Sequence, residues 1–420
     1  MAQLTIDFEP AGNDGGGDYC RDAINRVSTM MPTGEISVED IFQAYYDCRK
    51  NKRNTSNSLK FELNYEQNLL QLRDEINAGT YRIGRSVAFI VNKPVKREIF
   101  AAGFRDRVVH HLLINKMDPL FEKEFIYDSY SCRKGKGTLF GVKRVSRFIR
   151  ACSKNYTKDC YILKIDIQGF FMNVRRDLLC KMLHQLLVSN YHGSDKNLLL
   201  GLMEQIVMND CVDGCYVKCP LEEWEGLPAN KSLFKNDFNR GLPIGNLTSQ
   251  LFANYYLTFF DHFIKSTLGM KYYARYVDDC VFVHEDKEYL KNLLPQIRAF
   301  LDEELGLTLH PKKITLQHYT KGIKFVGAYI LPNRIYVDKR TKGNFYAVIE
   351  KANQRVGTDK KPLTNEEKDH LLASVNSYLG FMRHYKTYKL RKRMLYRMSA
   401  KLEKYVRPAK QYTKLKRVDK

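Results

Sequence analysis

The chain is 420 residues long, enough for two or three domains with a sizeable core. Lys and Arg total 69 against 47 Asp and Glu, and the formal charge of +22 points to a polyanionic partner, nucleic acid first. No run of about 18 apolar residues exists, which excludes a membrane-spanning helix.

The ten cysteines are scattered, and the N-terminus MAQLTIDFEPAGNDGGGDYC lacks the basic-then-apolar start of a secretory signal. Reduced thiols in a cytoplasmic protein are therefore expected. Cys211, Cys215 and Cys219 do not have a usual zinc spacing, and a plain pair of strands with buried thiols is the expectation there.

Residues 1–35 read as weakly structured, with Gly15, Gly16 and Gly17 after a polar stretch and a short helix at 22–30. A helix is expected over 37–49, with Ser37 as N-cap and Glu39 and Asp40 in its first turn. A second, over 64–77, has apolar spacing at Leu69, Leu70, Leu72 and Ile76 and ends at Gly79. The 82–100 stretch reads as two strands with a turn near 92–94, where Lys93, Lys96 and Arg97 cluster. Such a hairpin either holds a triphosphate through charge-assisted contacts or is an edge strand protected by lysine. A helix follows over 104–121, with Arg105 and Arg107 at its positive end. That placement is unfavourable unless an anion binds between them. SCRKGKGTLFG at 131–141 is Gly-rich and basic, either beside a phosphate backbone or simply a turn.

Asp166 closes a β-rich run, CYILKID, and an aspartate ending a buried strand is costly unless paired or metal-bound. The order after it is helix (175–188), helix (246–266), strand, turn, strand, helix (287–305) and strands at 314–318 and 323–331. This contains the β-α-β-β-α-β layout of a ferredoxin-like sheet. YYARYVDDCVFVH at 272–284 reads as a hairpin with Asp278 and Asp279 at its tip. Adjacent anions repel, and a divalent cation relieves the repulsion. The sheet layout brings Asp166 and Asp278 together, although 112 residues separate them. GLPIGNLTSQ at 241–250 is a loop feeding a helix: Gly245 allows close backbone approach, and Thr248 or Ser249 is the expected cap. Residues 340–407 are helical in pattern. From 383 to 420 there are 15 Lys or Arg and 2 acids, interleaved with Tyr385, Tyr388, Tyr396, Tyr405 and Tyr412. Arg383, Lys389, Arg391, Arg393 and Arg397 are the candidate nucleic-acid contacts, the alternative being a solvated basic helix.

With these residues in view, the sequence resembles the reverse transcriptases over about 37–331. YVDD at 276–279 looks like their catalytic hairpin, and KIDIQGFF at 164–171 like the motif holding the first catalytic aspartate. GLPIGNLTSQ is similar to the loop at the incoming base pair. LHPKK at 309–313 and GIKFVGAYI at 322–330 look like the lysine-bearing and primer-grip segments, and FRDRVVHH at 104–111 like part of the fingers. The resemblance implies an α/β (α+β) right hand: an N-terminal extension over 1–35, fingers over 36–158, a ferredoxin-like palm over 159–335, and a helical thumb with a basic tail over 336–420. It implies RNA-directed DNA synthesis with two Mg2+ ions held by Asp166, Asp278 and the Ile167 carbonyl, and Asp279 completing the site. Lys96, Arg97 and Arg105 would grip the triphosphate, and Phe171 would be a steric gate against ribonucleotides. Ile244, Gly245, Ser249 and Gln250 would line the nucleotide, and Lys312 or Lys313 would protonate pyrophosphate.

Many of these enzymes carry Gln-Gly-x-x-x-Ser-Pro where this chain has Ile244, Gly245, Ser249 and Gln250. That replacement, with SYSCRKGKGT at 129–138, resembles the polymerases of diversity-generating retroelements, which mutate adenines while copying a template repeat. The implied partners are an RNA template, a DNA or RNA primer, dNTPs, a dedicated structured RNA and an accessory protein. Two rivals use the same fold: a defence-associated enzyme copying a noncoding RNA against phage, and a catalytically idle nucleic-acid binder.

Overall fold

A computed structural model describes residues 34–50, 55–92, 95–358 and 361–418. The helix expected at 22–30, and Lys93 at the expected hairpin turn, lie outside the described residues. The described chain divides into two compact units. One runs up to Glu124 and includes Phe171–Tyr256; the other comprises Phe125–Phe170 and the chain from Leu257 onward.

In the first unit, Val38–Arg49 is a helix whose N-cap Ser37 accepts from the Asp40 N–H at 3.1 Å. Ile41, Ala44, Tyr45 and Cys48, at three- and four-residue spacing, form its buried stripe. Tyr65–Asn77 buries Leu69, Leu72 and Ile76, while Leu70 stays exposed. Between them lies an unanticipated helix, Ser56–Glu62, started by a capping box of Thr55 and Ser58. Val38–Arg49 and Ser56–Glu62 pack on Phe104–Glu124, the long central helix, which also carries Lys196–Met208 and Leu247–Tyr256. Val87–Val91 and Arg97–Ala101 form the expected antiparallel hairpin, with Tyr216–Val217 added in parallel to the first strand. From Cys211 to Cys219 the chain is turns and bends around that one two-residue strand, and short 3-10 turns follow over 221–235, so the expected pair of strands at Cys211, Cys215 and Cys219 is corrected.

The second unit is built on a four-stranded antiparallel sheet in the order Tyr272–Tyr276, Asp279–His284, Tyr161–Asp166, Thr315–His318. With the strands numbered along the chain this is 2-3-1-4, the order of the split ferredoxin-like layout. The middle strand buries Cys280, Val281, Phe282 and Val283 in succession, as a strand covered on both faces must. Thr138–Cys152, absent from the sequence reading, contributes Val142, Val145, Phe148 and Ile149 to the cluster holding Ile162, Ala274, Val281 and Val283. Lys287–Glu303 packs against the central strands, and its Phe300 meets Phe260, which lies edge-on to Tyr273.

Three expectations are corrected in this unit and at its border. The single strand at 323–331 is two strands, Ile323–Phe325 and Ala328–Leu331, turned at Val326 and Gly327 and joined by Arg334–Val337. The single helix at 246–266 is Leu247–Tyr256, then Thr258–His262, then a wider π turn over Phe263–Thr267. The stretch 340–407, expected to be helical, is the helices Lys339–Thr358, Asn365–Met382, Tyr388–Leu395 and Ala400–Glu403, but its last two residues, Val406 and Arg407, open a hairpin, Val406–Ala409 with Lys414–Arg417. Among the described residues no helix is long and apolar enough to cross a membrane.

Candidate active site

Asp166 ends its strand directly opposite Asp279, and Asp279 is in turn paired with Tyr276. The two-residue turn is therefore Val277–Asp278, not Asp278–Asp279: Asp278 occupies the turn and Asp279 opens the second strand. The chain after Asp166 is pinned on the far side by the His310 N–H to the Asp166 carbonyl at 2.9 Å and the Gln168 N–H to the Thr308 carbonyl at 2.8 Å. Ile167, between those bonds, bridges Leu309.

Two lysines serve these carboxylates. Lys313 Nζ donates to Asp166 Oδ1 at 2.9 Å. Lys312 instead offers its backbone N–H to His310 Nδ1 at 3.2 Å, so of the two candidates Lys313 is the one beside Asp166. Lys164 was not anticipated. It lies two residues before Asp166 on the same strand face, and its Nζ is 2.9 Å from Asp279 Oδ1. Lys164 is the cation against this buried oxygen, and its charge favours the ionised carboxylate. Burial pushes the Asp279 carboxyl up to about 6; Lys164 opposes the rise, and the Asp278 and Asp166 carboxylates add to it.

No three His, Cys, Asp or Glu side chains among the described residues form a closed metal cage. The donor set nevertheless fits Mg2+, a hard cation usually held by one or two carboxylates, with water and substrate phosphates completing its shell. The buried Oδ1 of Asp279 is an oxygen that such a cation would satisfy.

The other nucleotide-binding candidates, apart from the two lysines, lie in the first unit. Phe171 and Ile244 pack on one cluster, formed by Ala88, Phe100, Met172, Cys211 and Leu233. Their carbonyls are fixed there: Leu242 N–H donates to Phe171 O at 2.8 Å, and Phe100 N–H to Ile244 O at 3.0 Å. Gly245 has φ +132°, and a Cβ there would lie 2.8 Å from Ile99 Cγ2, so only glycine lets the loop press onto the hairpin. Gln250 is exposed and Ser249 buried. Neither Thr248 nor Ser249 caps the helix as expected: both lie inside its first turn, with Thr248 Oγ1 3.3 Å from His110 Nδ1.

Several expected cations are already engaged. Arg105 pairs with the Glu75 carboxylate and stands over the Tyr81 ring at 5.0 Å. Arg107 donates to the Ala102 carbonyl at 2.8 Å. The anion expected between these two arginines is thus replaced by internal partners. Lys96 Nζ donates to the Glu225 carbonyl at 2.6 Å, while Arg97 is exposed. In the basic tail Arg383, Lys389, Arg393 and Arg397 are exposed. Arg391 is not. It is buried, donating to Thr387 Oγ1 at 2.7 Å and to the Tyr412 carbonyl at 3.0 Å, and so braces the terminal hairpin.

A ferredoxin-like sheet carrying aspartates at facing strand ends defines the palm of a nucleic-acid polymerase. The chain belongs to the reverse transcriptase family: residues 95–330 match the family described as reverse transcriptase (RNA-dependent DNA polymerase). It is similar to the putative COX1/OXI3 intron 2 protein of Saccharomyces cerevisiae, 22% identical over 298 residues, covering 62% of this chain and 33% of that protein. It is similar also to protein YkfC of Escherichia coli, 21% identical over 297 residues, covering 63% of this chain and 71% of that protein. The chain thus spans a third of the first relative's length. Among solved structures, telomerase from Candida albicans with a fragment of telomeric RNA aligns with a TM-score of 0.44 at 12% identity, covering 75% of this chain and 57% of that one.

Proposed function

We propose that this chain is an RNA-directed DNA polymerase that copies its template with low fidelity within a diversity-generating retroelement. The observation that carries the chemistry is the facing pair Asp166 and Asp279 with Asp278 on the adjoining turn. Asp166, Asp278 and the Ile167 carbonyl would hold two Mg2+ ions, with Asp279 completing the acidic site. Bound there, the ions would lower the pKa of the primer 3′-hydroxyl and neutralise the triphosphate and leaving pyrophosphate. Lys313 holds an ammonium beside Asp166, from which it can turn to the leaving group. The Phe171 ring, partly buried on the Phe100 cluster, would be the gate under the sugar, and Gly245 keeps the Ile244 loop against the hairpin. Lys96, Arg97 and Arg105 remain the proposed triphosphate contacts. Arg105 would then have to exchange Glu75 for phosphate.

An RNA template, a DNA or RNA primer, a structured RNA and an accessory protein are the proposed partners. The terminal hairpin supports a polyanion at the thumb. Arg407 sits directly across from Lys416, a like-charge pair that destabilises a hairpin unless an anion lies over it.

Low fidelity rests on Ile244. Its side chain has no donor or acceptor with which to orient a base pair, where many relatives carry glutamine. One orienting hydrogen bond is worth ~0.5–1.5 kcal/mol, so misincorporation should exceed that of I244Q by a few-fold to about tenfold, most visibly opposite adenine. Sequencing cDNA made by both forms on one template tests this. Equal error spectra would remove the diversification reading. The packing of Ile244 on the Phe100 cluster favours a second reading, in which the residue is structural and the enzyme copies a noncoding RNA in anti-phage defence.

A further inference from the structure

The tip of the YVDD hairpin has a conformation its sequence does not favour. Val277, first of the two turn residues, has φ +56°. Hairpin turns with a positive φ at that position prefer glycine, and a β-branched side chain there is strained. Such strain persists only where the surroundings over-determine the backbone.

The surroundings here are a buried ion pair. Arg275 and Asp261 are both 0% exposed. Arg275 Nε donates to Asp261 Oδ1 at 2.7 Å and Nη2 to Oδ2 at 2.5 Å, a two-pronged contact that leaves Nη1 to donate to the Val277 carbonyl at 3.2 Å. Tyr273 OH also donates to Asp261 Oδ1, at 2.8 Å. The backbone of Arg275 is fixed as well: its N–H donates to Asp128 O at 3.0 Å, and its carbonyl accepts from the Tyr130 N–H at 3.1 Å. Strand alternation puts Tyr273 and Arg275 on one face of the sheet. Tyr276, Asp279 and Asp166, in register across three strands, lie on the other. The ion pair therefore grips the turn from the face opposite the carboxylates.

A buried ion pair is a weak source of stability compared with well-packed apolar side chains, so its place here calls for another account. We propose that Arg275, anchored by Asp261, is a positioning residue for DNA synthesis: its hold on the Val277 carbonyl keeps the strained turn that sets Asp278 and Asp279 beside Asp166. This inference rests on the polymerase reading. It adds a residue pair outside the motif, with Asp261 on the Thr258–His262 helix.

The test is steady-state primer extension by the full chain on an RNA template with a DNA primer and dNTPs. D261N/R275Q removes both charges together, so neither is left buried alone. Its kcat should fall on the order of a hundredfold, the cost of a displacement of about 1 Å at a reacting centre, with KM for dNTP little changed. Adding V277G, which accepts a positive φ without strain, should restore on the order of tenfold or more of that loss. R275K keeps a charge against Asp261 but lacks the planar fork, and should show an intermediate loss of kcat that V277G also relieves. Wild-type kcat in folded D261N/R275Q overturns the inference, as does a loss that V277G does not relieve. If D261N/R275Q does not fold, full kcat in R275K overturns it. A wild-type chain that incorporates no dNTP sinks the polymerase reading and this inference with it. An active wild type with unaffected variants sinks this inference alone.

Discussion

Asp279 should make the metal-free protein less stable as pH rises, and the size of the effect follows from its surroundings. Its Oδ1 is buried with Lys164 Nζ at 2.9 Å, and burial still raises the carboxyl from 3.8 to about 6 in the folded chain. Below both values the group is protonated in folded and unfolded chains alike and contributes nothing. Between about 4 and 6 the folded chain holds the proton and the unfolded chain has lost it, so stability falls as pH rises. Above about 6 the penalty is complete. Two pKa units at about 1.4 kcal/mol each give roughly 3 kcal/mol. The perturbation that isolates this effect is D279N, which cannot titrate. Thermal or urea unfolding in EDTA from pH 4.5 to 7.5 should show wild type losing ~2–3 kcal/mol relative to D279N across that range. Added Mg2+ should recover part of the loss in wild type only. A wild-type minus D279N difference that stays flat across this range would refute the claim that Asp279 is desolvated and waiting for a cation.

Two further outcomes are expected. F171A should admit ribonucleotides, because removing the ring opens space beneath the 2′-position; unchanged dNTP-to-rNTP discrimination would rule out the gate. Glutamine at Arg383, Lys389, Arg393, Arg407, Lys414 and Lys416 should weaken RNA binding and reduce its salt slope by roughly 0.7–1 for each phosphate no longer neutralised. Substitution is preferable to cutting at 383, because Met394, Leu402, Val406 and Leu415 belong to the core and deletion would expose it.

Much of the palm was legible. The runs at 161–166, 272–276 and 279–284 are short, rich in apolar and β-branched residues and bounded by turns. The helix–strand order between them fixes a ferredoxin-like sheet and hence the meeting of Asp166 with the hairpin. The turn register was not legible, because a sequence rule assigns no valine to a positive φ, and the buried Arg275–Asp261 pair that holds it there joins residues from two elements. Lys164 was within reach: it shares a strand face with Asp166, and alternation alone would have placed a cation beside the acids. The tail misled for a different reason. Charge density gives every cation the same reading, yet Arg391 sits under the hairpin, making hydrogen bonds to the Tyr412 carbonyl and Thr387. The hairpin itself, with Arg417 across from Val406, has no apolar alternation strong enough to announce it.

The most direct measurement compares wild type with D278N in RNA-templated primer extension with Mg2+, alongside circular dichroism of both. Asp278 sits in the turn, outside the strand pairing, so exchanging one oxygen for nitrogen leaves the sheet intact while removing a charge from a site that needs several. Wild type should extend the primer with dNTPs. D278N should give the same dichroism with incorporation reduced to background. Full incorporation by folded D278N would contradict the assignment of this hairpin as the active site.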